Sequence, residues 1–359
     1  MTRVALLTEV PTPFRTPLFA ALAERCDLTV LFVAASDPRR AYRIEDESMT
    51  FPHRVLAGTG LRRGAAWLVL NRGVARSLRE ADPEVVVVGG WGQPAYWRAL
   101  FWARRRKLPV AAWVESTERD ARAGSRFARR LKRAFVARCS GFLVPGRAAR
   151  EHLERLGAPP ASIVQAPNAV DLTRFRDRVA ELRERREPNA RPVVLTAARL
   201  APEKGIDVLL EAARGLEADV EVAGRGPEAE ALRAAAPPNV RFLGQLPQED
   251  LAAAYARADV FVLPSRSEPW GMVLNEAAAA GLPIVATDAV GAAWDLVEDG
   301  ENGFRVRVDD HSALRRALER LADPAFRVRA GSRSSELATR FTPAAWAAAV
   351  AGLAGRLAP

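Results

Sequence analysis

Two glutamates separated by seven residues, Glu268 and Glu276, lie in the segment SRSEPWGMVLNEAAAAGLPIVATD and could accept hydrogen bonds from the hydroxyl groups of a ligand. The pattern around them predicts a strand over Val260–Leu263, a helix that begins near Gly271, and a stop at Gly281. The first N–H groups of a helix lack partners and carry partial positive charge, so a helix start attracts phosphate. A ligand that combines phosphate with hydroxyl groups is a nucleotide or a sugar derivative.

Two cations, Arg199 and Lys204, follow an earlier predicted strand in the string ARLAPEKG. Because ligands of open α/β sheets bind beyond the carboxyl ends of the strands, these side chains are placed to neutralise a diphosphate. The string Gly224-Arg225-Gly226-Pro227 follows the next strand, and its glycines permit the backbone to come close to a ligand. The alternatives are surface charges for the cations and an ordinary βα turn for the glycines.

Short apolar runs alternate with helical patterns along nearly the whole chain. The runs are continuously apolar, which is typical of parallel strands covered on both faces. The predicted strands of the first half are Val4–Thr8, Leu28–Val33, Val85–Val88, Val110–Trp113 and Phe142–Val144. The predicted helices there are Phe14–Arg25, Ala65–Glu80, Pro94–Arg106, Ser125–Arg138 and Arg147–Leu156.

A charged stretch, Asp171–Arg191, interrupts this alternation and predicts a connector or an exposed helix. The alternation then resumes, with strands over Val193–Thr196, Asp219–Ala223, Val240–Leu243, Val260–Leu263 and Pro283–Thr287. We therefore predict an α/β protein with two doubly wound, Rossmann-like domains. Their predicted ranges are 1–175 and 190–340, and a last helix in 341–359 is expected to pack back on the first domain.

The composition favours a cytoplasmic protein with anionic ligands. Of the 359 residues 49% are apolar, yet no run is long enough to cross a membrane and no signal-peptide pattern is present. The two cysteines, Cys26 and Cys139, form neither a disulfide framework nor a zinc site. The net charge of +10 suggests phosphate, nucleic acid or an anionic membrane as a partner, although abundant arginine is also typical of a GC-rich genome. No recognition motif for nucleic acid is found.

Five strings occur in register: ARLAPEKG, GRGPE, FLGQLP, the segment with the two glutamates, and EDGENGF. Together they resemble the C-terminal, donor-binding domain of the retaining glycosyltransferases of family 4, which are two-domain GT-B enzymes. The resemblance is close over about residues 190–340 and weaker over the first half, up to Pro167-Asn168-Ala169-Val170-Asp171. It implies that the two Rossmann-like domains face a central cleft, the first binding the acceptor and the second the donor.

The resemblance implies a hexosyltransferase (EC 2.4.1.-) that needs no cofactor and takes a nucleotide-diphosphate sugar, with UDP- and GDP-sugars as the favoured donors. It assigns Arg199 and Lys204 to the diphosphate, Glu268 to the sugar hydroxyls and Glu276 to the ribose. The catalytic residues expected are Arg199, Lys204 and Glu268. The other donor contacts expected are Gly271, Met272, Val273, Arg225 and Leu246.

Cleavage of a sugar–phosphate bond leaves negative charge on the diphosphate. We expect Arg199, Lys204 and the helix start to stabilise this charge without a metal, since no Asp-x-Asp motif occurs. The family retains the anomeric configuration, and no Asp or Glu is placed as a covalent nucleophile. We therefore expect front-face attack by the acceptor hydroxyl, with a donor phosphate oxygen taking the proton.

The first half departs from common family patterns. It has Thr8-Glu9-Val10-Pro11-Thr12-Pro13-Phe14-Arg15 where many members have a Gly-Gly loop, and Trp113-Val114-Glu115-Ser116-Thr117 where many have a histidine. The expected acceptor-side contacts are Glu115, Ser116, Trp91, Arg15 and Asn168. The alternatives are a structural carboxylate for Glu115 and a core position for Trp91. The three histidines, His53, His152 and His311, are expected at the surface.

Two basic stretches, Arg104–Lys107 and Arg126–Arg138, predict a basic amphipathic helix that can lie on anionic lipid, with an ordinary solvated face as the alternative. We expect a bacterial, cytoplasmic enzyme of polysaccharide biosynthesis with peripheral contact at the inner face of the cell membrane. Its acceptor would be a glycan, a lipid-linked sugar or a small metabolite. The alternative functions are a nucleotide-sugar epimerase or hydrolase on the same fold, and a non-catalytic subunit that binds a sugar nucleotide.

Overall fold

The computed structural model of the protein describes residues 1–38, 49–63, 66–118, 126–187 and 190–359. These residues form two compact units, each with its own parallel sheet. Unit 1 holds the described residues of 1–118 and 126–170 together with 342–359, and unit 2 holds those of 171–341. The two parallel α/β sheets confirm the predicted fold class of two Rossmann-like domains.

A seven-stranded parallel sheet forms the centre of unit 1. The strands of this unit are β1 (Arg3–Thr8), β2 (Asp27–Phe32), β3 (His53–Val55), β4 (Gly58–Arg63), β5 (Ala66–Asn71), β6 (Val85–Val88), β7 (Val110–Trp113), β8 (Gly141–Val144) and β9 (Ile163–Gln165). The order in the sheet is β3-β2-β1-β6-β7-β8-β9, and β4 and β5 form a separate antiparallel hairpin. Because β2 and β6 flank β1 on opposite sides, the carboxyl end of β1 is a topological switch point, where such sheets bind ligands.

Helices cover both faces of this sheet. Their bounds are α1 (Thr16–Ala23), α2 (Val74–Ala81), α3 (Pro94–Arg105), α4 (Arg126–Val136) and α5 (Arg147–Arg155). One face is packed by α1, and the other by the hairpin together with α2 to α5. The strands β6, β7 and β8 are buried along their whole length, as their continuously apolar sequences predict.

Unit 2 repeats the plan with six parallel strands. Its elements are α6 (Thr173–Glu184), β10 (Val193–Ala197), α7 (Ile206–Ala213), β11 (Asp219–Ala223), α8 (Ala229–Ala235), β12 (Val240–Gly244), α9 (Gln248–Arg257), β13 (Val260–Leu263), α10 (Met272–Ala279), β14 (Ile284–Thr287), α11 (Ala293–Leu296), β15 (Gly303–Val306), α12 (His311–Arg320) and α13 (Pro324–Ala338). The strand order is β12-β11-β10-β13-β14-β15, so the switch point lies between β10 and β13.

The last helix, α14 (Pro343–Leu357), packs on α1 and β8 of unit 1. Thr342 caps its start by accepting a hydrogen bond from the N–H of Ala345 at 3.2 Å. Trp346 is fully buried, with ring centroids 5.1 Å from Trp113 and 5.9 Å from Phe19. The final segment of the chain therefore supplies part of the core of the first unit.

The helix predicted over Ala65–Glu80 is wrong in its first half. That part is the strand β5, and the helix α2 begins only at Val74, after Gly73 with a φ of +79°. In β5 the residues alternate between buried Trp67, Val69 and Asn71 and exposed Leu68 and Leu70, which is a strand period. Pairing with β4 outweighed the helical pattern that the apolar residues suggested.

Two smaller expectations also needed change. His152 is buried rather than at the surface, with its ring 6.2 Å from the ring of Trp91. The charged stretch after Asp171 contains a helix, α6, that is only partly exposed, because Phe175 and Val179 are buried in the core of unit 2. Within the described ranges, no helix combines the length and the apolarity needed to cross a membrane.

Candidate functional site

The candidate site of unit 2 lies where two loops leave the carboxyl ends of neighbouring strands. The loop after β10 carries Arg199 and Lys204, and the loop after β13 carries Glu268. The loops are in direct contact, since the backbone N–H of Arg266 donates to the carbonyl of Glu203 at 2.8 Å. The fold thus brings the cations of ARLAPEKG to the carboxylate of SRSE at the switch point of the sheet.

Lys204 and Glu268 form a hydrogen-bonded ion pair. Each side chain is 18% exposed, so both are held by their surroundings yet reachable from solvent. Arg199 is exposed on the same loop as Lys204. An ammonium group and a carboxylate side by side can bind a phosphate oxygen and a hydroxyl group, respectively.

Arg266 joins the two loops to the neighbouring helix. Its guanidinium donates to the two carboxylate oxygens of Asp207 at 2.8 and 2.6 Å, and to the carboxylate of Asp309 at 2.6 Å. It also donates to the carbonyl of Pro202, in the turn that ends at Lys204, at 2.8 Å. These bonds lower the pKa of Asp207 and raise that of Arg266, so both groups stay charged and the Lys204 turn is fixed in place.

The helix α10 begins directly after the Glu268 loop. Gly271 precedes it with a φ of +95°, a left-handed conformation that favours glycine, and no side chain caps this helix. The first N–H groups, those of Met272 and Val273, have no partner within the helix because of their position. Both residues are partly buried, and the helix start can therefore receive an anion.

The loop after β14 is joined to the Glu268 loop by two backbone hydrogen bonds. The N–H of Gly291 donates to the carbonyl of Glu268 at 3.0 Å, and the N–H of Ala292 donates to the carbonyl of Trp270 at 2.9 Å. A Cβ atom on Gly291 would lie 2.0 Å from the carbonyl oxygen of Pro269. Only glycine allows this close backbone contact, which fixes the loop relative to the loop after β14.

Glu276 lies inside α10, and the hydroxyl of Tyr255 donates to its Oε2 at 3.0 Å. Burial raises the pKa of Glu276 to about 7, because it disfavours the charged form, while the hydrogen bond from Tyr255 opposes this effect. Tyr255 is itself fixed by stacking on Phe261, with ring centroids 5.5 Å apart. Glu276 is therefore an oriented carboxyl group that titrates near neutral pH.

The glycines of the GRGP string come close to the protein backbone. A Cβ atom on Gly224 would lie 1.8 Å from the carbonyl oxygen of Ala198, and one on Gly226 would lie 2.1 Å from that of Leu200. The observed role of these glycines is thus to let two loops pack, whereas the sequence suggested close approach to a ligand. Arg225 between them is exposed, and Leu246 is partly buried against the core of unit 2.

Unit 1 has a second candidate site, at the carboxyl ends of β1 and β7. Arg15 donates to Glu115 Oε2 at 2.7 Å and to the hydroxyl of Thr8 at 3.1 Å. Its guanidinium carbon also lies 4.6 Å from the centre of the Trp113 ring, a cation–π contact. The predicted contacts Arg15 and Glu115, which are 100 residues apart in sequence, therefore form one charged pair.

Glu9, Gln93 and Tyr96 belong to the same site. Gln93 is buried and donates to Glu9 Oε1 at 3.2 Å. The hydroxyl of Tyr96 is buried and has no hydrogen-bond partner, and the charges of Glu9, Arg15 and Glu115 all act on it. Burial raises the pKa of Tyr96 well above its usual value, so this hydroxyl remains a neutral donor that can bind an oxygen of a ligand.

The other predicted contacts of unit 1 are more dispersed. Ser116 is partly buried beside Glu115. Trp91 packs partly against the core, with the ammonium group of Lys132 5.3 Å from its ring centre. Asn168 is buried just after β9. Trp91 thus shows the core packing that the sequence left as an alternative, with part of the ring exposed.

The sequence interpretation missed Arg266, Tyr255, Gln93 and Tyr96. Arg266 lies within the quoted segment, but its role depends on Asp207 and Asp309, which only the fold brings near. Tyr255 and Tyr96 lie on apolar helix faces, where an aromatic residue predicts core packing. Among the described residues, no three His, Cys, Asp or Glu side chains are grouped as a metal site.

Two family descriptions match the chain in succession. Residues 18–174 match Glycosyltransferase Family 4, and residues 177–336 match Glycosyl transferases group 1. The boundary between the matches lies close to the boundary between the two units. Each unit is therefore similar to one half of the same class of enzyme.

Individual proteins show the same similarity. A GDP-mannose-dependent alpha-mannosyltransferase of Mycolicibacterium smegmatis is 33% identical over 242 residues, which cover 65% of this chain and 63% of that protein. A GDP-mannose-dependent alpha-(1-6)-phosphatidylinositol monomannoside mannosyltransferase of the same organism is 37% identical over 187 residues, or 46% of this chain and 49% of that protein. The chain thus spans about half to under two thirds of these relatives. HepE of Anabaena, solved with UDP and glucose, superposes with a TM-score of 0.70 at 18% identity, covering 100% of this chain and 98% of HepE, which shows a common fold.

Proposed function

The chain belongs to the glycosyltransferases of the family 4 type with the GT-B fold, and we propose that it transfers a sugar from a nucleotide-diphosphate donor to a hydroxyl acceptor. The observation that carries the proposal is the Lys204–Glu268 ion pair at the start of α10. It joins a phosphate-binding cation, a hydroxyl-binding carboxylate and a helix start within one unit. A nucleotide sugar has the matching groups, since its diphosphate suits the cation and the helix start and its sugar hydroxyls suit the carboxylate.

The donor lies in unit 2 in this proposal. Arg199 and Lys204 bind the diphosphate, together with the N–H groups of Met272 and Val273. Glu268 accepts hydrogen bonds from hydroxyls of the transferred sugar. Glu276, oriented by Tyr255, accepts hydrogen bonds from the ribose hydroxyls. The remaining donor contacts that we propose are Gly271, Arg225 and Leu246.

The chemistry we propose is retaining, front-face and independent of a metal. The bond between the anomeric carbon and the donor phosphate breaks, and its electron pair leaves with the diphosphate. The acceptor hydroxyl attacks from the same face, and its proton passes to the departing phosphate oxygen. Lys204 and Arg199 stabilise the charge that develops on the diphosphate, which is the largest electrostatic demand of the step. An inverted linkage in the product would contradict this mechanism.

A hexose is the transferred sugar that we propose, which makes the protein a hexosyltransferase. GDP-mannose is the first donor to test, because mannosyltransferases that use it are similar to this chain. UDP-glucose is the second, because HepE of the same fold was solved with UDP and glucose. We propose that backbone groups near Leu246 distinguish the two bases.

The acceptor lies in unit 1 in this proposal. Arg15 forms an ion pair with Oε2 of Glu115. We propose that the other carboxylate oxygen of Glu115 accepts a hydrogen bond from the acceptor hydroxyl and orients it. The unpartnered hydroxyl of Tyr96 supports this placement, because a buried polar group gains most from a ligand partner. The remaining acceptor contacts that we propose are Ser116, Trp91 and Asn168. A lipid-linked sugar is the acceptor class we favour, as one mannosyltransferase relative acts on a phosphatidylinositol mannoside.

We further propose that the protein works in the cytoplasm and touches the inner face of the membrane through α4. This helix has no acidic residue, and Phe127 and Leu131 are exposed among its five basic side chains. Basic helices with exposed apolar residues bind anionic lipid.

A donor panel tests the central proposal. The purified chain is mixed with UDP-, GDP-, ADP- and dTDP-sugars, and thermal shift and nucleotide release are recorded. We expect one donor to raise the melting temperature, and Lys204→Met to remove that shift. Binding of no donor, or equal shifts in both proteins, would contradict the donor site. Release of nucleotide without any acceptor would indicate a hydrolase instead.

A further inference from the structure

The hairpin of β4 and β5 has two unlike faces. On the inner face, Trp67, Val69 and Asn71 are buried. On the outer face, Leu61 and Leu68 stand directly opposite each other and are 54% and 42% exposed, and Leu70 beside them is 47% exposed. Exposure of three leucine side chains on one short hairpin is unfavourable in water, so we expect a binding partner to cover this face.

Two helices that neighbour the hairpin, α3 and α4, also carry exposed apolar side chains. Six of the nine large apolar side chains that are exposed in the described ranges lie on the hairpin, α3 and α4, so they are not scattered. They are Leu61, Leu68, Leu70, Phe101, Phe127 and Leu131. The three elements are neighbours: Arg98 of α3 donates to the carbonyl of Asn71, and the rings of Trp97 of α3 and Phe135 of α4 lie 4.8 Å apart.

The charge around the exposed leucines indicates which kind of partner would cover them. No acidic residue occurs in the described residues of the hairpin, α3 or α4. Basic residues are frequent, with Arg62 and Arg72 exposed on and beside the hairpin and Arg104 and Arg105 exposed at the end of α3. Apolar side chains surrounded by cations match the interface of an anionic lipid bilayer, where the cations meet the headgroups and the apolar groups enter below them.

One buried side chain ties the hairpin to the acceptor site. Gln93 accepts from the N–H of Val69 at 3.0 Å and donates to the carbonyl of Trp67 at 3.1 Å, both in β5. The same amide group donates to Glu9 at 3.2 Å. Gln93 therefore links the hairpin, which carries the leucine face, to Glu9 of the acceptor site.

We infer that the leucine face of the β4–β5 hairpin inserts into the apolar layer of an anionic membrane and sets the acceptor site of unit 1 at the lipid surface. The acceptor is then a molecule carried by a lipid, with its sugar or headgroup hydroxyl projecting toward Glu9 and Glu115. The identity of the acceptor rests on the proposed function, whereas the lipid contact does not.

Fluorescent labelling tests insertion directly. Leu68→Cys is labelled with an environment-sensitive fluorophore, and Val328→Cys serves as the matched control because Val328 is 71% exposed on unit 2. The native Cys26 and Cys139 are changed to alanine in both proteins, because Cys139 is partly exposed and would compete for the label. With vesicles of phosphatidylglycerol and phosphatidylcholine, we expect a blue shift at position 68 and none at 328. No shift at position 68, or the same shift at both positions, would overturn the inference.

Flotation with the same vesicles gives a second measurement. We expect the triple variant Leu61→Ser, Leu68→Ser, Leu70→Ser to lower the bound fraction at least about tenfold, with unchanged melting temperature because all three side chains are exposed. Donor-induced thermal shifts should be unchanged in this variant, since the donor binds unit 2, so failure of the proposed function would be seen separately. Undiminished flotation of the triple variant would overturn the inference. A wild-type dimer that the triple substitution dissociates would also overturn it, because the leucines would then contact a second copy of the chain.

Discussion

The hydroxyl of Tyr255 lies 3.0 Å from Oε2 of Glu276, and this hydrogen bond joins α9 to α10 beneath the proposed ribose position. Burial raises the pKa of Glu276 from 4.5 to about 7, so the group is partly protonated at physiological pH. A carboxylate accepts hydrogen bonds from ribose hydroxyls through both oxygens, whereas a protonated carboxyl has lost one acceptor site. With Glu276 at the ribose as we propose, affinity for the donor would be coupled to the ionisation of this partly buried group.

We expect donor affinity to rise with pH through about 7, as measured by titration calorimetry between pH 5.5 and 8.5. Stability should have the opposite dependence. The folded pKa of Glu276 lies above the unfolded value, so its contribution is largest below pH 4.5 and is lost as pH rises through about 7. The melting temperature of Glu276→Gln should therefore exceed that of the wild type by a margin that grows with pH, while donor binding weakens. A difference in melting temperature that does not change with pH, and that the control Glu301→Gln also shows, would contradict the expected dependence on Glu276.

Tyr255→Phe should move the pH dependence of donor binding upward. The hydrogen bond from Tyr255 lowers the pKa of Glu276, so its loss leaves burial unopposed. Stacking on Phe261 is retained in the variant, so the core is little changed. The midpoint of donor affinity against pH measures the effect, and Tyr96→Phe, a change at another buried tyrosine, should leave it unmoved. An unchanged midpoint in Tyr255→Phe would show that the hydroxyl does not tune Glu276.

Lys204→Met should lower the rate of transfer about 100-fold, because the cation is proposed to stabilise the leaving diphosphate. Glu268 loses its partner in this variant and remains as a partly buried charge, so a moderate loss of stability is also expected. Steady-state rates at saturating acceptor are the measurement. Arg320→Met, which removes an exposed cation from the last turn of α12, is the control and should transfer at the wild-type rate. Equal rates in the two variants would exclude Lys204 from the reaction.

Arg266→Lys should reduce kcat at least about tenfold while the chain remains folded, because a lysine cannot span Asp207, Asp309 and Pro202 at once. Loosening this turn displaces Lys204, the cation proposed to stabilise the leaving diphosphate, so kcat should fall more than KM for the donor rises. Arg305→Lys breaks a comparable arginine–aspartate pair, with Asp299, outside the site and serves as the control. A loss confined to melting temperature would mean that Arg266 is structural only.

Gly291→Ala should destabilise unit 2 by about 1–3 kcal/mol, because the added Cβ would lie 2.0 Å from the carbonyl oxygen of Pro269. The Glu268 loop must move to relieve this contact, so donor affinity should fall with stability. Gly355→Ala, in α14 with open space around it, should instead stabilise the chain by about 1 kcal/mol. Thermal unfolding and donor titration of both variants are the measurements; full donor affinity in Gly291→Ala would show that the loop does not depend on this contact.

The sequence predicted the parallel strands well, because a run such as Val85–Val88 is apolar at every position and has one stable place, inside a covered sheet. It also pointed to the loops that bear Lys204 and Glu268, because residues after strand ends meet at one edge. The hairpin strand Ala66–Asn71 was mistaken for helix because its partner β4 is glycine-rich and gives a weak strand pattern.

Contacts between residues that are far apart in the sequence could not be predicted from it. Arg266 and Asp207 are 59 residues apart, and Gln93 and Glu9 are 84 apart. Neither pair has a local pattern, since each arises from the order of strands in a sheet rather than from helix or strand period. The raised pKa of Glu276 depends on burial by neighbouring elements, which a linear pattern does not specify.

Because α14 is the last helix of the chain but belongs to unit 1, unit 1 can be completed only after all of unit 2 has been synthesised. Unit 2 has all its described residues by Phe341, whereas unit 1 lacks Trp346 and the rest of its last helix until the ribosome has added them. The nascent first unit leaves Phe19 and Trp113 without their final partner while the second unit folds. The amino-terminal half is therefore the last to become native, and a peptide spanning Pro343–Leu357 supplied separately should complement a chain truncated after Phe341.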